Sequence, residues 1–116
     1  MLADALTDET IWILRRAFKK SKAPIWNSIK DDLSSPRSNR REVNVSKLAN
    51  VTKNDEVIVV PGKVLGAGAI GHRLTVCAFS ISEMAARKII GSGGKIVTLD
   101  NLIENHPDGK EVRIIG

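Results

Sequence analysis

The chain has 116 residues, of which 42% are hydrophobic and only four are aromatic; it carries a net charge of +5 and a single cysteine. That length fits one domain able to bury roughly 65% of its extended surface, and the hydrophobic fraction excludes wholesale disorder. One cysteine excludes an internal disulfide and any metal site needing two thiolates, no apolar run is long enough to cross a bilayer, and no secretory leader opens the chain, so a cytoplasmic address is expected.

The first ten residues hold Asp4, Asp8 and Glu9 and no cation. Thr7 or Asp8 can cap a first helix whose apolar stripe is Ile11, Leu14 and Phe18, with Leu6 packing on its first turn. Arg15, Arg16, Lys19 and Lys20 fall in its last turns, where cations also suit the helix dipole. Lys22 follows, and Pro24 is placed to start a second helix with Ile25, Trp26, Ile29 and Leu33 at helical spacing. Ser34, Ser35 and Pro36 stop it, and both tryptophans are expected in the core. The stretch SSPRSNRR, Ser34 to Arg41, is polar, proline-interrupted and unable to form a core; Arg37, Ser38, Asn39, Arg40 and Arg41 make it a natural contact for phosphate oxygens. From Arg15 to Arg41 nine cations face only Asp31 and Asp32, a net +7, whereas nine face eight acids from Glu42 to Gly116, a net +1. A basic segment over residues 1–41 thus precedes a nearly neutral body over 42–116, the asymmetry of a globular domain that meets a polyanion.

The body repeats a pattern of strand, capping residue and helix. Val43 and Val45 form a strand, Ser46 caps, and Lys47 to Val51 makes a helical turn or two. Val57 to Val60 is a β-branched strand. Leu74 to Ile81 is another, with Cys77 as a buried thiol, Ser82 as a cap, and Glu83 to Ile90 as a helix. Gly91 to Gly94 allow a reversal, Ile96 to Leu99 make a strand, Asp100 caps, and Asn101 to Asn105 is a short helix. Pro107, Asp108 and Gly109 turn the chain into a closing strand, Glu111 to Ile115. The expected class is α/β with repetitive winding.

Between the second and third strands, Gly66, Gly68 and Gly71 spell G-x-G-x-x-G. A dinucleotide fingerprint needs a helix directly after its glycines, to offer the pyrophosphate its N-terminus. Here a β-branched run follows, so Pro61 to Arg73 reads as a loop between strands, with Lys63, His72 and Arg73 giving it a basic character that suits phosphates. Gly68 to Gly71 also spell the G-x-x-G of single-strand RNA binders, but that loop joins two helices, and four aromatic residues offer little stacking surface. His72 and His106 stand 34 residues apart with no nucleophile or carboxylate pattern, and the acid pairs Asp31–Asp32 and Asp55–Glu56 are adjacent, not facing. Catalysis, cofactors and metals are therefore not expected. Double-helical or tightly folded RNA, recognised by shape and backbone, is the partner that suits Arg, Lys and Ser without aromatic rings.

Ser35-Pro36-Arg37, Val43-Asn44-Val45-Ser46-Lys47, Val59-Val60-Pro61-Gly62-Lys63-Val64-Leu65-Gly66, Phe79-Ser80-Ile81-Ser82, Gly93-Gly94-Lys95 and Val112-Arg113-Ile114-Ile115-Gly116 together resemble the archaeal and eukaryotic large-subunit ribosomal proteins of the L-eighteen-e family, relatives of bacterial L-fifteen. The resemblance runs the length of the chain in order, and its compact form looks archaeal. It implies an irregular β-β-α superhelical fold and a structural, non-enzymatic role in the large ribosomal subunit, bound to ribosomal RNA beside neighbouring ribosomal proteins. Contacts of the family carry over to the Arg37 to Arg41 loop and Lys63, and extend to His72 and Arg73. A standalone RNA-binding regulator or chaperone is the alternative reading, and a nucleotide-binding module built on Gly66 to Gly71 a more distant one.

Overall fold

The structure, a computed structural model, describes residues 8–34 and 42–115. In chain order it comprises α1 (Asp8–Ser21), α2 (Pro24–Ser34), β1 (Glu42–Asn44), α3 (Val45–Val51), β2 (Glu56–Leu65), β3 (Leu74–Ile81), α4 (Glu83–Gly91), β4 (Lys95–Ile96), α5 (Leu99–Asn105) and β5 (Val112–Ile114). Among the described residues the result is mixed α/β, with five helices around one parallel sheet. Among the described residues no helix is long and apolar enough to cross a membrane.

β2 is the hub of the sheet. β3 lies along one side, Glu56 opposite Leu74 and Val64 opposite Ile81. On its other side β5 pairs with Val57–Val59 and β1 with Lys63–Leu65, while β4 extends the sheet beyond β3. Every pairing is parallel, so both faces need cover. Alternation along the strands divides the core accordingly. Ile58, Val60, Val76 and Ala78 pack with Val45 and Leu48 of α3 and Ala85 and Ile89 of α4. Val59, Cys77 and Phe79 pack with Leu14 and Ala17 of α1, Trp26 and Ile29 of α2, and Leu99 and Leu102 of α5. Each fully buried large aliphatic side chain contributes on the order of 1.5–3 kcal/mol, so Leu14 and Ile29 anchor α1 and α2 in the core on this face of the sheet. Trp26 adds a polar tie, its indole Nε1 donating to the Pro107 carbonyl at 2.9 Å.

Several expected boundaries move. β2 does not stop at Val60; it runs through Pro61 to Leu65, with its register against β3 slipping between Val60 and Lys63. An irregularity of that kind is where a strand tolerates proline, which cannot donate to a ladder. Asn44, not Ser46, precedes α3, and its side chain makes no cap bond. Thr98, not Asp100, caps α5 by accepting from Asn101 N, which leaves β4 with two residues and puts Leu99 in the helix. Ser82 caps α4 as expected, accepting from Ala85 N at 3.1 Å. Cys77 is buried as expected, and burial pushes its thiol up to about 12. The two tryptophans part company: Trp26 is fully buried, whereas Trp12 is 58% exposed.

Candidate nucleic-acid interface

Residues 66–73 connect two parallel strands, so they must return from the end of β2 to the start of β3. β3 is eight residues long, a rise of roughly 23 Å over its seven steps. Eight connecting residues wound as a helix would rise only about 12 Å. Sheet geometry therefore forbids the helix that a dinucleotide fingerprint needs, and the connection crosses the sheet as a strap.

The strap is fastened to its own protein at both ends. At its start, Ser46 N donates to Ala67 O at 3.0 Å and Ala67 N to Asn44 Oδ1 at 3.4 Å. Gly66 lies so close to α4 that a Cβ there would stand 2.8 Å from the Met84 side chain. Gly68 takes φ +94°, and a Cβ would stand 2.4 Å from that of Ser46. Lys88 of α4 reaches under the turn, its Nζ donating to Gly66 O at 2.6 Å and to Gly68 O. A phosphate cradle aims N–H groups at its ligand; this turn aims two carbonyl oxygens at an ammonium. Around Gly71 there is nothing within 4 Å of a Cβ, so the third glycine lacks the close packing that the fingerprint would require.

At the strap's far end His72 and Arg73 are already engaged. His72 Nε2 lies 2.8 Å from Thr52 Oγ1. Arg73 forks onto Asp55, Nε to Oδ1 and Nη2 to Oδ2, both at 3.0 Å, and its backbone N donates to Asn54 Oδ1 at 2.9 Å. Arg113 is committed in the same way to Glu56 and to the Val51 carbonyl. These contacts knit the turn before β2 to the strand starts. Sequence reasoning missed Lys88 altogether, because a contact spanning 22 residues in sequence leaves no local signal.

The remaining predicted cations differ. Arg15, Arg16, Lys19 and Lys20 are exposed on α1, and Lys22 is exposed just beyond it at φ 62°. Among the described residues none of the five forms an ion pair. Leu14 and Ala17 turn the opposite side of α1 into the core, which fixes the basic side outward. Lys63 is exposed on β2, in register with Glu42 and Ser80. Arg37, Ser38, Asn39, Arg40 and Arg41 lie outside the described residues.

Comparison with known proteins places these features in a family context. Residues 10–116 match the family model described as "Ribosomal protein 60S L18 and 50S L18e". A protein of Halobacterium salinarum is 41% identical over 102 residues, covering 88% of this chain and 87% of its own length. One of Methanococcus maripaludis is 40% identical over 115 residues, covering 99% and 96% respectively. One of Archaeoglobus fulgidus is 43% identical over 96 residues, covering 83% and 82%. All three are named "Large ribosomal subunit protein eL18".

Proposed function

The chain belongs to the L-eighteen-e family of ribosomal proteins, and from that premise we propose that it holds folded ribosomal RNA by the phosphate backbone, through cations that have no acidic partner among the described residues. It is a structural, non-enzymatic constituent of the large ribosomal subunit and serves translation in the cytoplasmic ribosome. The observation that carries the phosphate reading is the outer side of α1, where Arg15, Arg16, Lys19 and Lys20 are exposed together and free of ion pairs among the described residues. Cations so placed release counterions from the RNA without first giving up an ion pair.

Lys22, Lys63, Arg37, Ser38, Asn39, Arg40 and Arg41 are further phosphate contacts in this reading, and neighbouring large-subunit proteins are secondary partners. His72 and Arg73 brace the strap, and reach RNA only by giving up Thr52 and Asp55. Residues 1–116 act as one RNA-binding domain, in which the successive strand and helix units wind as irregular β-β-α superhelical repeats.

The test is binding to an archaeal large-subunit ribosomal RNA transcript between 50 and 200 mM salt. With about six phosphates engaged, affinity falls roughly a thousandfold over that range. The triple variant Arg15→Gln, Lys19→Gln, Lys20→Gln lowers the salt slope by about 2 to 3, whereas His72→Ala with Arg73→Gln leaves it unchanged. A flat wild-type curve overturns the reading. Retention on large subunits through a high-salt wash separates a stable component from a transient regulator, which washes away.

A further inference from the structure

Resting on that RNA-binding reading, we propose that Trp12 is a stacking platform for one unpaired base of folded ribosomal RNA, with the cations of the following turns of α1 holding the phosphates beside that base. Four aromatic residues occur in the chain, and all four are described. Trp26 and Phe79 are buried and Phe18 is half-buried against the core. Trp12 alone among them is exposed, at 58%, a large apolar ring left in water on a helix whose other side is well packed.

Its neighbours define what fits there. On a helix, residues three and four apart adjoin, so Arg15 and Arg16 flank Trp12, and Lys19 and Lys20 continue the same side one turn on. The Arg16 guanidinium lies 5.3 Å from the centroid of the Trp12 ring, within cation–π range, and steadies the indole while most of its surface stays open. An exposed aromatic ring with cations on its C-terminal side, none of them in an ion pair among the described residues, matches a nucleotide, whose base supplies a π-face and whose phosphates supply charge. An apolar protein partner would leave those four charges unanswered at the edge of the contact. A single ring accommodates a single base, so the geometry selects a bulged or looped-out nucleotide within folded RNA over a run of extended single strand.

Two RNA hairpins of equal length test this, one fully paired and one carrying a single-nucleotide bulge, alongside the large-subunit transcript. Trp12→Ala weakens binding to the bulged hairpin and the transcript by roughly 5- to 150-fold, with the salt slope unchanged because no charge is lost, and changes binding to the paired hairpin less than about twofold. Trp12→Phe keeps a ring and restores most of the affinity. The bulged hairpin quenches wild-type tryptophan fluorescence; the Trp12→Phe protein, whose emission comes from buried Trp26 alone, shows no such quench. Unchanged transcript affinity in Trp12→Ala overturns the proposal and leaves the phosphate reading standing, and points to a neighbouring protein as what covers the ring. Equal losses on both hairpins also overturn it, since stacking requires an unpaired base. Failure of the wild type to bind any of the three RNAs overturns both readings.

Discussion

The outer side of α1 and the strap over residues 66–73 both resemble phosphate sites in sequence, one by cations and the other by glycines and cations, yet the fold treats them in opposite ways. On α1 the cations project from a helix whose core side is already satisfied. In the strap, the carbonyl groups of Gly66 and Gly68 receive Lys88, and His72 and Arg73 meet Thr52 and Asp55. Formal charge marks a binding surface only where the fold has not already supplied the counter-charge. That distinction can be broken at the strap, where substitutions are expected to change stability and leave RNA binding alone.

The largest effect is expected at Gly68. Alanine there must adopt φ +94° and bring its Cβ to 2.4 Å from that of Ser46. Strained backbone and overpacking each cost of the order of 1–3 kcal/mol, so Gly68→Ala loses about 2 to 6 kcal/mol in urea unfolding. Gly71→Ala, with nothing within 4 Å, is its control and stays within about 0.5 kcal/mol. Equal effects at the two sites would show that the strap is not seated on α3.

Lys88→Met sharpens the contrast. It keeps the aliphatic stem and removes two charge-assisted bonds to carbonyl groups, one of them 2.6 Å long. Bonds of that kind to a half-buried ammonium are worth about 1 to 2 kcal/mol net, and the loss is read in the denaturant midpoint. The salt slope for large-subunit RNA should not move. A slope lower by about 1 would mean that Lys88 faces a phosphate, and the division between the two regions would fail.

What the sequence revealed follows the same division. The α1 and α2 helices, the Ser82 cap, the strand β3 with its buried Cys77, and the family resemblance were all legible, because periodicity, capping chemistry and ordered motifs are local. The parallel return of the strap was not, since pairing partners such as Val64 and Ile81 leave no mark on either strand. The ends of β2 and β4 are hidden from the sequence for related reasons. A register slip carried β2 past Pro61, and Thr98 bonded Asn101 N three residues ahead, taking the cap position from Asp100. Residue type alone points Trp12 to the core, since tryptophan is usually buried; Leu14 and Ala17 set the orientation of α1 and leave it outside.

The smallest expected effect concerns the third cation kept inside the fold, Arg113. Glu56 accepts from Lys53 N at 2.7 Å and from Arg113 Nη1 at 3.1 Å, and these bonds, the backbone one foremost, hold its carboxyl below the usual 4.5 against an opposing effect of desolvation. A folded pKa below the unfolded one means that the carboxylate stabilises the protein above about 4.5, and that this contribution disappears as pH falls through the depressed folded value. The pair is partly exposed, so the contribution at neutral pH is modest, about 0.5 to 1 kcal/mol. Glu56→Gln is therefore less stable than wild type at pH 7, and the gap in urea midpoint closes as pH drops below 4.5. A gap that stayed constant down to pH 3 would assign the loss to packing. It would also take Arg113 out of the set of cations that the fold keeps for itself.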